Sequence, residues 1–219
     1  MIEILLQTLR FVAMAKPSGV AVHHGWSREG EAALELLRDH LGQYVFPVHR
    51  LDRPTSGVLL FALDSEGARV LHELFEEGGV EKRYLALVRG VAPEAGTIDH
   101  PIPRREDGPR VPATTEFRRL WRGEHVSLVE ARPKTGRLHQ VRRHMKHISH
   151  PLIGDANYGK GAVNRDYRER IGLERLALHA AELSFTDPWS GEPLRITAPV
   201  PSDLRGPLER LGVPAEILT

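Results

Sequence analysis

With 219 residues, 41% of them hydrophobic and 27% charged, the chain is long enough to bury a core and has the composition of a globular protein, not a disordered or fibrous one. It has no cysteine, which excludes disulfides, thiolate metal ligands and thiol nucleophiles, and no apolar run of membrane-spanning length, so a cytoplasmic protein without a membrane partner is expected. The formal net charge of +1 hides a bias: Lys16, Lys82, Lys134, Lys146 and Lys160 are the only lysines, every other basic side chain is arginine, and Arg132 to Arg175 is basic where Asp64 to Glu81 is acidic. Arginine's flat fork suits phosphate and stacked bases, so this uneven charge points to an anionic partner.

In chain order, residues 2–6 and 11–14 read as short strands followed by a turn at "KPSG". The start "MIEILLQTLRF" carries Glu3 early and has no small-residue cleavage site, so no signal peptide is expected. "EGEAALELLRDHLG" places Ala33, Leu36, Leu37 and Leu41 at helical spacing and stops at Gly42. "GVLLFAL" (57–63) is a buried strand. Ser65 is then expected to cap a helix whose Ala68, Val70, Leu71, Leu74 and Phe75 form an apolar face, ended by Gly78 and Gly79. "KRYLALVRG" (82–90) is a strand, and 92–113, rich in Pro, Gly and charge, is a long surface loop. "HVSLVEARP" (125–133) is a strand stopped by Pro133, "GRLHQVRRHMKHIS" (136–149) a helix, "LALHAAELSF" (176–185) a strand and "GEPLRITAPVP" a shorter one. Strands and helices mix without strict alternation and without a repeat or a linker. The expected fold is α+β: one domain over 1–219, with a mixed, mostly antiparallel central sheet flanked by helices and loops.

Two segments carry chemistry. "HRLDRPTSG" (His49–Gly57) packs a histidine, two arginines and one aspartate into five positions between apolar runs, then breaks at proline and glycine. On the 136–149 helix, Leu138, Val141, Met145 and Ile148 share one side at about 100° per residue. Arg142 falls at the edge of that stripe, and His139, Arg143 and Lys146 lie toward solvent. A half-buried guanidinium wants a carboxylate, and Asp52, ringed by Arg50 and Arg53, is a candidate from elsewhere in the chain. An arginine partner keeps such an aspartate ionised, and an ionised, partly desolvated aspartate can act as nucleophile or base. A purely structural Asp–Arg pair is the alternative.

His139, His144, His147 and His150 are close in sequence. A hydrolytic zinc site usually adds a carboxylate at helical spacing, which this segment lacks, and its Arg and Lys repel a cation, so no metal is expected. Histidines bonded to backbone or phosphate are the better reading. Ser56 lacks the nucleophile elbow, and no glycine-rich phosphate loop is present.

"HRLDRPTSG" resembles the catalytic motif of the RluA family of pseudouridine synthases. "KPSG" (16–19), "KRYLALVRG" (82–90), "PKTGRLHQVRRHM" (133–145), "HPLIGD" (150–155) and "RLALHA" (175–180) fall in the family's order, so the match spans 16–180. The resemblance implies the pseudouridine synthase catalytic fold and an RNA substrate, with no cofactor or metal. It implies that Asp52 is the catalytic aspartate, that Arg142 is its basic partner, and that Tyr84 stacks near the target uracil and helps with proton transfer. Leu178 packs against the base, and Arg50 swings into the RNA stack when the uridine leaves. His49, Thr55 and Gly57 shape the loop, and Arg137, His139 and Gln140 join the substrate-binding set. The tail of the match is most similar to the tRNA pseudouridine-65 synthase branch, so tRNA is favoured over ribosomal RNA. Ala15 stands where relatives often have Asn, "QTLRF" replaces a more acidic stretch, and the 92–113 loop looks short; all three bear on the substrate more than on the chemistry. No S4-type RNA-binding module is seen, and a monomer without an obligate protein partner is expected. A non-catalytic RNA-binding protein is the competing reading.

Overall fold

The computed structural model describes residues 2–24, 30–103 and 108–218. Its elements run β1 (Ile4–Gln7), β2 (Phe11–Lys16), α1 (Ala33–Leu41), β3 (Phe46–Pro47), β4 (Ser56–Ala62), α2 (Ser65–Glu76) and β5 (Glu81–Arg89). They continue through β6 (Ala95–Asp99), β7 (Ile102–Pro103), β8 (Arg110–Val111), β9 (Thr114–Arg122), β10 (Val126–Pro133) and α3 (Gln140–His147). The chain ends with α4 (Gly161–Ile171), β11 (Leu178–Thr186), β12 (Pro193–Thr197), α5 (Ser202–Arg210) and a 3-10 turn at Ala215–Leu218. Every strand-to-strand register seen is antiparallel, as an α+β chain predicts. The contacts divide the chain into two compact units, one of residues 1–81 and 180–199, the other of 82–179 and 200–219.

In the first unit β4 lies between apolar neighbours. All seven of its residues are buried, which is why "SGVLLFA" reads as a continuous run instead of alternating. β2 pairs with β4 from Phe11 opposite Ala62 to Lys16 opposite Gly57, so the "KPSG" turn emerges beside the loop that precedes β4. α2 covers this layer, placing Ala68 and Leu71 against Phe11, Val58, Leu60 and Phe185. Its cap is Asp64, one residue earlier than expected: the Asp64 carboxylate accepts the Gly67 N–H at 2.7 Å, and Ser65 is the first helical residue. α1 begins at Ala33 and closes at Gly42 in the left-handed region; Glu29, where the expected helix started, lies outside the described residues.

In the second unit β10 is central, pairing with β5 (Tyr84 opposite Ala131) and with β9, where a bulge falls between Leu128 and Val129. α3 lies on this face, bringing Val141 and Met145 onto Ala86, Val88, Val129 and Ala131. The expected surface loop at 92–113 is partly strand. β6 pairs with β9, β7 with β8, and Ala92, Ile98, Ile102 and Ala113 are buried. Composition argued for a loop, but β9 offers a ladder and four apolar residues are enough to seat the segment on it. Residues 104–107 of that stretch lie outside the described residues. β9, α4 and α5 received no assignment from the sequence. Thr115 and Phe117 in β9 do alternate with the exposed Glu116 and Arg118.

Gly57 has φ +123°, and a Cβ there would overlap the Ala180 backbone carbonyl. Gly57→Ala therefore meets both a backbone clash and a disfavoured dihedral. It is expected to lower stability by about 3 kcal/mol or more in denaturant unfolding, against about 1–2 kcal/mol for Gly78→Ala, where φ is also positive but the space is open.

Candidate active site

The His49–Gly57 loop is held from below by a buried cation. Lys16 is 1% exposed, and its ammonium donates to the carbonyls of Pro17 at 2.9 Å, Val20 at 2.6 Å and Arg53 at 3.2 Å. The "KPSG" turn adds a backbone bond from Gly19 N–H to Arg53 O at 2.9 Å and one from Ser18 Oγ to Pro54 O at 2.8 Å. Arg53 answers with Nε to Gly19 O at 2.8 Å. Within the loop, Thr55 N–H donates to Asp52 O at 2.9 Å, closing a tight turn over Pro54. Two turns distant in sequence thus fix each other's backbone, and Asp52 sits, half-buried, at the start of the second.

His49 is tied to the scaffold. Its Nε2 accepts the Leu60 N–H at 3.0 Å, which requires a lone pair on that nitrogen, and its ring stacks on Phe75 at 4.7 Å. Thr55 is 1% exposed, and its hydroxyl has no hydrogen-bond partner among the described residues. Arg50 is exposed.

In the second unit Tyr84 is half-buried and packs against the cluster that contains Leu178, Val141 and Met145. Arg175 pins the backbone at Leu178: its Nη2 donates to Leu178 O at 3.1 Å, its Nε to Leu176 O at 3.1 Å, and its Nη1 to the Asp203 carboxylate at 2.9 Å. An aromatic side chain and a branched apolar one are thus presented from one packed surface.

Arg142 is more deeply buried than its wheel position suggested, at 4% exposed. Its Nε and Nη2 grip Asp155 Oδ2 and Oδ1 at 2.8 and 2.9 Å. Asp155 Oδ1 also accepts the N–H groups of Asn157 at 2.9 Å and Tyr158 at 3.0 Å. Burial pushes the Asp155 carboxyl up, but the Arg142 fork and these backbone donors outweigh it and hold it below the usual carboxylate range. In sequence Asp155 was only the nearest acid to a histidine cluster; its role in holding Arg142 was missed. The signal that could have found it is the pairing of a core-facing arginine with a single acid thirteen residues on.

Tyr158 completes the frame. Its ring lies 5.1 Å from the Arg142 guanidinium and 5.6 Å from both Arg143 and Lys146. Its hydroxyl accepts Arg143 Nε at 2.7 Å and bonds His139 Nδ1 at 2.9 Å. His139 precedes α3 in the left-handed region, φ 53°.

Gln140 was expected to contact substrate. It is 5% exposed, and its amide is committed: Oε1 accepts Thr135 Oγ1 at 2.7 Å and Arg137 N–H at 3.0 Å, while Nε2 donates to Thr114 O at 2.9 Å and to Thr115 Oγ1 at 3.0 Å. Four bonds fill its capacity, so it sets the 135–137 loop from within. Arg137 is exposed, with one long bond to Pro112 O at 3.4 Å. His144 uses both ring nitrogens, on Thr115 Oγ1 at 2.8 Å and His100 O at 2.9 Å. His100 and His147 stack on each other at 3.7 Å, and His150 bonds Arg89 O at 2.8 Å. Backbone and hydroxyl partners account for these contacts.

Residues 10–147 match the family model for RNA pseudouridylate synthase, and the chain belongs to that family. It is 41% identical to tRNA pseudouridine synthase C of Vibrio cholerae over 97% of this chain and 96% of that protein. It is 44% identical to tRNA pseudouridine synthase C of Haemophilus ducreyi over 90% of each. Among solved structures it resembles human RNA pseudouridylate synthase domain containing 4, with TM-score 0.78 and 28% identity over 96% of this chain and 93% of that one.

Asp155→Ala leaves a buried guanidinium without its fork partner and is expected to cost about 3 kcal/mol of stability, whereas breaking the exposed Arg69–Glu73 pair costs less than about 1 kcal/mol. His144 predicts a pH dependence. Burial, together with the nearby His100 and His147, holds its pKa below the ordinary value of 6.5. The folded protein thus prefers neutral His144, so this contribution to stability is complete above about pH 6.5 and is lost as pH falls toward the lower folded value. Unfolding free energy should decline from pH 7 to 5, and His144→Gln should flatten that decline; an unchanged slope would exclude His144 as its source.

Proposed function

We propose that this chain isomerises a uridine of tRNA to pseudouridine, working as a monomer with Asp52 as its reactive carboxylate. What carries the tRNA assignment is about 40% identity along nearly the whole chain to proteins named tRNA pseudouridine synthase C. The reaction breaks the N1–C1′ bond, turns the freed uracil and joins C5 to C1′. The C5 proton leaves and N1 takes one up, so the product is an isomer and no redox or group-transfer partner enters the balance.

One carboxylate can open the reaction by attacking C1′, as in retaining glycosidases, or by taking the C2′ proton. Either route needs Asp52 ionised and fixed, and the double turn at Lys16, Gly19 and Arg53 supplies the fixing. Arg142, whose guanidinium is gripped by Asp155, is the proposed cationic partner of Asp52. Tyr84 and Leu178, which share one packed cluster, are the proposed wall against which the freed base turns, with Tyr84 helping proton transfer. The uridine must leave its stack to be reached, at a cost of a few kcal/mol, and exposed Arg50 is suited to fill the gap. His49 and Thr55 frame the loop. Arg137, His139 and the segment that Gln140 braces are assigned to the RNA-facing set in this reading.

Unmodified tRNA and ribosomal RNA transcripts carrying uridine tritiated at C5 test this. Wild-type protein is expected to release tritium from a tRNA. Asp52→Asn should reduce release by at least about a thousandfold while RNA affinity stays within a few-fold. Release from ribosomal RNA alone would move the substrate assignment, and binding without release would leave an RNA-binding protein.

A further inference from the structure

Lys82 is placed differently from Lys16 and Lys134. It is the second residue of β5, two before Tyr84. Alternation along a strand puts Lys82, Tyr84, Ala86 and Val88 on one face, about 7 Å between successive members. Ala86 and Val88 on that face are buried in the cluster that holds Leu178. The Lys82 ammonium is therefore half-buried beside the aromatic wall proposed for the base. Its one hydrogen bond among the described residues goes to Thr135 O at 3.2 Å, and it makes no ion pair among them. The charge that acts on it is a second cation, Arg137; burial first and Arg137 second push its pKa down to about 8.

The contrast is with lysines that serve the fold. Lys16 spends its ammonium on three carbonyls, and Lys134 pairs with Glu116 at 2.9 Å. A desolvated ammonium with two N–H donors uncommitted, next to a guanidinium, costs stability in the isolated protein. A neutral side chain of the same length would avoid that cost. The arrangement is sensible if an anion arrives from outside.

RNA carries one anion per nucleotide, on the phosphodiester. A uridine turned out toward Tyr84 brings its own flanking phosphates with it, within the reach set by two strand residues. Lys82 and Arg137 together offer donors to both non-bridging oxygens, and a charge-assisted pair of this kind fixes position without reading sequence. Uracil itself is neutral before the glycosidic bond breaks, so the phosphate is the anion present when RNA first binds. We propose that Lys82, with Arg137 beside it, forms a binding site for a phosphodiester flanking the target uridine. This rests on the reading of the chain as an RNA uridine isomerase.

The test compares wild type, Lys82→Met and Lys82→Arg on an unmodified tRNA transcript. Affinity is measured across salt concentrations in the Asp52→Asn background, and tritium release in the otherwise wild-type background. Lys82→Met should weaken binding roughly tenfold, the order of one charge-assisted hydrogen bond, and reduce the slope of log affinity against log salt by about 1. Its effect on release should fall on KM more than on kcat. Its melting temperature should hold or rise, because a desolvated cation has been removed. Lys82→Arg should restore affinity to within about threefold. A lower melting temperature with an unchanged salt slope would make Lys82 structural and overturn the site. Unchanged affinity and salt slope with a fallen kcat would place the ammonium on the base instead. Wild-type protein that binds tRNA but releases no tritium overturns the isomerase reading and leaves the salt comparison valid; protein that binds no tRNA overturns both.

Discussion

The Arg142–Asp155 pair is the constraint on which the packing around α3 in the second unit depends. Both side chains are almost wholly out of water, where either charge alone would be prohibitive. The fork geometry and the Asn157 and Tyr158 N–H groups together fill the carboxylate's capacity. Because the pair is bidentate, it fixes the guanidinium plane as well as its position. That plane in turn sets where the Tyr158 ring lies, and Tyr158 gathers His139, Arg143 and Lys146 around it. Lysine at 142 would keep the charge and lose the plane.

A second theme is the use of buried polar side chains to hold backbone. Lys16 in one unit donates to the carbonyls of two loops, and Gln140 in the other accepts the Thr135 hydroxyl and the Arg137 N–H of its loop while donating to Thr114 O of β9. The loops remain irregular, as a site requires, yet their carbonyls are satisfied as if they belonged to regular structure. Lys82 and the Thr55 hydroxyl depart from this rule, since each is buried or half-buried with hydrogen-bonding capacity unspent among the described residues.

Much of the α+β layout could be read along the chain, for physical reasons that vary by element. β4 and β5 announce themselves as apolar runs, and α2 as a broad apolar face, because each buries enough side chain to impose a period. α4 buries only Tyr167 and Ile171, so its period is almost invisible. β6 exposes four of its five residues or leaves them half-buried, and its ladder to β9 comes from backbone, which composition does not report. The shift of the α2 cap from Ser65 to Asp64 is a choice between two adjacent capping residues that only geometry can make.

For the site, the sequence by itself determined the residue types and their order: an aspartate between arginines at a strand mouth, a tyrosine two residues into the next strand, an arginine on a core-facing helix. Those follow from local pattern and from resemblance, both properties of the chain. Only the tertiary structure decided what each side chain is spent on. It gave Arg142 a buried carboxylate at Asp155, turned Gln140 from a substrate contact into a brace for its own loop, and tied His49 to Leu60 and Phe75. The physical reason is that hydrogen-bonding capacity is local and finite. Whether a polar group is free for a substrate depends on which distant backbone it meets first, and no spacing along the chain records that.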